Sequence, residues 1–204
     1  MSGPSTAYIM TAGVQNGSSD ERTRDFIFER NWLVASNSTQ MVMGIMSRNV
    51  TVRNNICDMS LSPGGRCFNV GNWGIEPPPD NVKIYNNTVY SSGSGTVQGV
   101  LLFPVDTNIT VRNNLGYTPA AGSSIMVDGT AGSGFSASNN STNSQMRSTN
   151  PGWISVTPSL PADFRLTAGS YGLNTGAIVK VFSDFFRSLR PQGSGYDIGA
   201  VEGI

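Results

Sequence analysis

Apolar and polar residues alternate in short bursts along this chain, and the bursts repeat. Phe26 and Phe28, Val50 and Val52, Val82 and Ile84, and Ile109 and Val111 each bracket one other residue. A period of two is the signature of a strand with one face turned inward. Each burst closes on asparagine: RDFIFERN at Asn31, NVTVRNN at Asn55, NVKIYNN at Asn87, NITVRNN at Asn114, and a fainter GFSASNN at Asn140. The copies are 24, 32, 27 and 26 residues apart, a spacing that suits one turn of a solenoid with insertions absorbed in loops. A second apolar run falls between them, as MVMGIM (41–46), RCFNVG (66–71), QGVLLF (98–103) and SSIMVDG (123–129). Each repeat therefore predicts at least two strands joined by turns. No helical periodicity of useful length precedes residue 178, and IVKVFSDFFRSL (178–189) fits either a short helix or an extended cap.

Stacked coils bring equivalent residues to about 4.8 Å from one another. An asparagine at the same turn of every coil can then bond its amide to the asparagines above and below. The expected ladder is Asn31, Asn55, Asn87, Asn114 and Asn140, and it would satisfy polar groups turned toward the core. Asparagine also tolerates the left-handed backbone that sharp turns require.

Composition sharpens this picture. The 204 residues allow one domain or two small ones. Thirteen basic residues balance thirteen acidic ones, and only 13% of the chain is charged, against roughly 25% in an ordinary soluble domain. That excludes an electrostatic case for nucleic acid or for a polybasic membrane contact. No apolar run is long enough to span a bilayer. Histidine is absent, which removes Ser-His-Asp and Cys-His catalysis and His-ligated zinc. Cys57 and Cys67 fit either one disulfide closing a short loop or two buried thiols.

The repeated N-[VI]-x-[VI]-x-N-N strand resembles the coils of the right-handed parallel β-helix, or pectate-lyase-like, superfamily. The C-terminal third, with NPGWISV (150–156), ADFRLTAGSYGLNTGA (162–177) and RPQGSGYDIGAVE (190–202), is similar to the closing segment of many secreted bacterial β-helix proteins. Val201 stands where an aromatic is common, and Leu173-Asn174 where Ile-Asp is common. The resemblance implies an all-β fold, a short single-stranded right-handed parallel β-helix of about five to seven coils. The resemblance covers residues 24–202, and the chain reads as one domain over 1–204: an irregular stretch over 1–23, repeated coils over 24–148, and a last coil with closing segment over 149–204. DFRL (163–166) reads as a last-coil strand, and Asp197 and Glu202 as structural.

The superfamily includes polysaccharide lyases, glycoside hydrolases, tailspikes and non-catalytic surface proteins, so fold alone does not choose among them. Its complete enzymes carry more coils and an N-terminal cap. The abrupt, polar start with no signal peptide therefore suggests the C-terminal part of a longer secreted bacterial protein, extracellular or periplasmic. An open first coil also invites pairing with a second copy.

Candidate chemistry sits on the outward face of the repeated strand, where equivalent residues stack into columns. One column reads Glu29, Arg53, Tyr85, Arg112, and its neighbour reads Ile27, Thr51, Lys83, Thr110. Guanidinium groups pair with carboxylates in a fork, and tyrosine offers a flat face to a sugar ring. This points to a carbohydrate-active protein engaging an acidic polysaccharide. If it is catalytic it is lyase-like, with Arg53, Lys83, Tyr85 and Arg112 abstracting the proton and stabilising the enolate-like intermediate. Glu29 and Trp73 are candidates for substrate binding. Glu76, Asp80 and Asp106 are the candidate ligands for a Ca²⁺ cofactor. The alternative is a non-catalytic β-helix binding or structural module, or the remnant of a larger enzyme.

Overall fold

The computed structural model describes residues 7–12, 24–71 and 78–203. Fourteen strands run in chain order: β1 Ala7–Ala12, β2 Arg24–Glu29, β3 Trp32–Val34, β4 Thr39–Ile45, β5 Arg48–Arg53, β6 Ile56–Asp58, β7 Gly65–Val70, β8 Lys83–Tyr85, β9 Thr88–Tyr90, β10 Thr96–Leu101, β11 Thr110–Arg112, β12 Leu115–Tyr117, β13 Ser123–Asp128 and β14 Ser136–Ser138. They form three sheets. Sheet A stacks β1, β4, β7, β10 and β13; sheet B stacks β2, β5, β8, β11 and β14; sheet C stacks β3, β6, β9 and β12. Neighbouring strands within every sheet pair in parallel. The chain visits A, B and C in turn, so it winds as a β-solenoid of about four turns. The stretch before residue 24, expected to be irregular, contributes β1 to sheet A.

The alternation predicted from sequence is what fills the interior. Val50, Val52, Val82, Ile84, Ile109 and Val111 are all fully buried and share one core cluster with Met43, Phe68, Val89 and Val100. Cys57, in β6, and Cys67, in β7, are also fully buried and form a disulfide across 6.2 Å between Cα atoms. Of the two readings left open by the sequence, the disulfide is the one the structure holds.

The paired asparagines divide two tasks between them. The first of each pair, Asn54, Asn86, Asn113 and Asn139, takes a left-handed backbone with φ of 54°, 51°, 59° and 54°. This turns the chain from sheet B into sheet C. The second of each pair builds the ladder. Asn31 Nδ2 donates to Asn55 Oδ1 at 2.9 Å, Asn55 to Asn87 at 3.0 Å, Asn87 to Asn114 at 3.0 Å and Asn114 to Asn140 at 2.8 Å. Each of these oxygens also accepts the backbone N–H of the preceding asparagine, at 2.9 to 3.0 Å. From Asn55 onward the second amide proton goes to a carbonyl one coil back, such as Asn87 Nδ2 to Val52 O at 3.0 Å, while that of Asn31 goes to Glu29 O in its own coil. Nothing polar in this buried column is left over, as burial demands.

A difference from expectation lies in the last third. After β14 comes a short helix α1, Asn143–Ser148, and no further strand joins the three sheets. The DFRL segment opens as a 3-10 turn, Pro161–Phe164, rather than a strand. The Asp163 carboxylate accepts the N–H groups of Ser159 and Leu160, at 2.8 and 3.0 Å, which holds that turn. The segment 178–189 is not helical; it turns at 185–186. Isolated antiparallel bridges pair Gly176 with Tyr196 and Ser183 with Leu189, so residues 176–196 fold back on themselves.

This returning segment lies along the solenoid over the turn asparagines. Asn139 donates to Thr175 O at 2.9 Å, Asn113 to Ala177 O at 2.8 Å, Asn54 to Ser183 O at 2.7 Å and Asn86 to Asp197 O at 2.9 Å. The outward face of sheet C is covered too, with Ile56, Tyr90 and Leu115 packed against Trp153, Phe164, Leu166 and Ile198. A buried clasp secures the end. Arg190 is paired with Glu202 and donates to Gly199 O at 2.8 Å. Asp197 accepts Gly203 N–H at 2.6 Å and Asp184 accepts Glu202 N–H at 3.1 Å.

Candidate functional site

Sheet B keeps its outward face open between coils two and four, and there the predicted columns form. The register places Glu29, Arg53, Tyr85 and Arg112 in one row and Ile27, Thr51, Lys83 and Thr110 in the next. The returning segment supplies a second wall through Ile178, Val179, Lys180 and Phe182. Between sheet and wall lies a groove of about 740 Å³. Arg53, Lys83, Tyr85 and Arg112 all line it, together with Thr51, Lys180 and Tyr196. The four residues singled out from sequence are thus brought to one place.

Their environments differ. Arg53 Nε donates to Glu29 Oε2 at 2.6 Å, and its Nη1 donates to Lys180 O at 3.1 Å. Burial pushes the Glu29 carboxyl up, but the hydrogen bond and charge of Arg53, helped by Arg30, outweigh it and hold Glu29 below its ordinary value. Glu29 is therefore paired with Arg53 and Arg30, and it is not among the groove's lining residues. Lys83, Arg112 and Lys180 have no carboxylate within salt-bridge reach among the described residues. Tyr85 packs against Val179, Val181 and Tyr196. Burial raises its phenol, with the Thr110 hydrogen bond and the Arg112 charge only partly opposing. That keeps the hydroxyl protonated, suited to donating a hydrogen bond.

Of the remaining candidates, Asp80 and Asp106 are not among the groove's lining residues. Trp73 and Glu76 lie outside the described residues. Asp80 accepts Thr107 Oγ1–H at 2.6 Å and Asn108 Nδ2–H at 2.8 Å, which hold it below its ordinary value. Asp106 is fully buried in the corner between sheets A and B, and desolvation pushes it up to about 6. Among the described residues no three His, Cys, Asp or Glu side chains gather in a way that could hold a metal.

Sequence reasoning missed the groove's second wall. Lys180 and Tyr196 fall in segments read as a cap and a closing strand. Burial alternates from Ile178 to Phe182, with Val179 and Val181 turned in and Ile178, Lys180 and Phe182 turned out, but the sequence shows only an apolar run broken by Lys180. Ile178 and Phe182 remain 85% and 69% exposed, so this wall presents an apolar rim above a cationic floor. Compared with protein-family models, with curated proteins and with solved structures, the chain matches none of them.

Proposed function

We propose that this β-solenoid engages an acidic polysaccharide in the groove between sheet B and the returning segment. The observation that carries the reading is the lining: Arg53, Lys83, Arg112 and Lys180 are its charged members, with no carboxylate among them. Guanidinium and ammonium groups at successive coils can meet acidic groups at successive sugars. Tyr85 and Tyr196 add flat faces and hydroxyls, and the exposed Phe182 offers an apolar rim to C–H faces. A net charge of zero with cations concentrated in one short groove favours a local anionic ligand over a long polyanion bound by field alone. The resemblance to polysaccharide-lyase-like β-helix proteins points the same way. The buried disulfide suits an extracellular or periplasmic setting.

Binding without turnover is the leading form of this reading. Burial favours the neutral Tyr85 phenol, leaving little phenolate to take a proton, which weighs against elimination. Lyase chemistry is the second form, because Lys83 lies two residues from Tyr85 on the same outward face and could take a proton.

Titration with polygalacturonate, alginate and a glycosaminoglycan, beside neutral dextran, tests the reading. Acidic glycans should bind, dextran should not, and affinity should fall with salt. Absorbance of unsaturated uronate separates the two forms: none is expected for a binding module, and a Lys83-dependent rise would establish the lyase. Equal affinity for dextran and the acidic glycans, or affinity for none, overturns the proposal.

A further inference from the structure

A second polar feature lies inside the solenoid, at the corner where sheet A passes into sheet B. The bridges pairing Arg48 with Asp80 and Asp80 with Thr107 put Ser47, Pro79 and Asp106 at equivalent positions in three successive coils. All three are buried. Asn69, near the end of β7, reaches the same corner through Gly71, whose carbonyl accepts its Nδ2 at 2.8 Å. The Asp106 carboxylate packs directly on Gly71 and leaves no room for a Cβ there. Gly71 thus holds Asn69 and Asp106 side by side.

Three oxygens in this corner have no hydrogen-bond partner: Ser47 Oγ, Asn69 Oδ1 and Asp106 Oδ1. Their residues are only 0%, 3% and 0% exposed. Asp106 uses its other oxygen to accept Phe103 N–H at 2.9 Å, and no Lys or Arg lies within salt-bridge reach of it among the described residues. A buried charge is normally paired with another or coordinated to a metal, and unpartnered buried acceptors cost free energy. The two that meet at Gly71 are both oxygen: the Asp106 carboxylate and the Asn69 amide carbonyl. That combination suits a hard cation and not a soft one.

We propose that this corner binds a hard divalent cation of the calcium type, held by Asp106 with Asn69, which Gly71 brings together. The ion would tie coils three and four together. Its role is structural, and it is independent of the groove.

Thermal unfolding of the wild-type chain and of Asp106→Asn, in chelator and then with calcium, tests the proposal, with equilibrium dialysis of calcium alongside. Once calcium exceeds its dissociation constant about tenfold, the wild-type Tm should rise by about 4 °C. Dialysis should find one ion per chain. Asp106→Asn should show neither effect, while keeping the wild-type circular dichroism spectrum. A wild-type Tm indifferent to calcium, with no bound ion, overturns the proposal and leaves the corner to buried water. Calcium bound equally by wild type and Asp106→Asn places the ion elsewhere and overturns it as well.

Discussion

Truncating the middle of the asparagine ladder should be far more costly than truncating its end. In Asn87→Ala the lost Oδ1 had accepted both Asn55 N–H and Asn55 Nδ2, at 3.0 Å each. The lost Nδ2 had donated to Asn114 Oδ1 and Val52 O, at 3.0 Å each. Asn55 and Asn87 are essentially inaccessible, so water cannot replace these partners. At about 1–3 kcal/mol for each buried group left unsatisfied, two stranded donors on Asn55 put the loss at about 4 kcal/mol. In Asn31→Ala, by contrast, Asn55 Oδ1 keeps the Asn31 backbone N–H at 3.0 Å. Only the bonds from Asn31 Nδ2 to Asn55 Oδ1 and Glu29 O disappear, and the site is half-exposed. About 1 kcal/mol is expected there. Urea unfolding followed by far-ultraviolet circular dichroism measures both. If Asn87→Ala falls within about 1 kcal/mol of Asn31→Ala, the ladder is not a cooperative buried network and the reasoning fails.

Other expectations follow from the same contacts. Replacing Cys57 and Cys67 with alanine opens a loop of 10 residues and should lower stability by about 3 kcal/mol on the chain-entropy account; an unchanged urea midpoint would contradict it. Glu29→Gln should tighten binding of polygalacturonate two- to fivefold, about 0.4–1 kcal/mol, because it releases Arg53 from its carboxylate partner. The same ion pair sets a pH dependence. The Glu29 carboxyl sits below its ordinary value of 4.5, so the stability it contributes is present above that value and is lost as pH falls through the folded one. Glu29→Gln should flatten that part of the acid-unfolding profile, and an unaltered profile would refute the assignment. Arg190→Met strands the buried Glu202 and should cost about 3–5 kcal/mol, whereas Arg190→Met with Glu202→Gln should recover part of it. A double variant no better than the single one would argue against the clasp.

The repeats were legible because each coil writes its inward face and its turn in the same seven residues. Val50, Val52 and Asn55 have counterparts in the next coils, and stacking follows from the repetition itself. The outward row was legible for the same reason, since identical positions in successive coils must align. The returning segment was not. Its polar groups pair with the side chains of Asn54, Asn86 and Asn113, contacts between residues more than sixty positions apart that no local pattern encodes. DFRL misled because its alternation suggests a strand, while Pro161 at the start of the turn and the Asp163 carboxylate capping Ser159 and Leu160 favour a 3-10 turn. Glu29 looked like a groove residue in the column. What the column does not reveal is that Arg30, with φ of 58°, turns out of register and closes on it. The disulfide was likewise hidden, because the approach of β6 and β7 depends on how the intervening turn folds.

The most direct test of the groove as a glycan seat is the affinity of Lys83→Ala/Arg112→Ala for polygalacturonate, measured by calorimetry against the wild-type chain at low and moderate salt. Both side chains line the groove without a carboxylate partner among the described residues. Losing two charge-assisted contacts of about 1.5 kcal/mol or more each predicts an affinity at least about a hundredfold weaker, with a shallower salt dependence and an unchanged fold. Wild-type affinity and salt dependence in the double variant would put the glycan elsewhere and contradict the groove as its binding site.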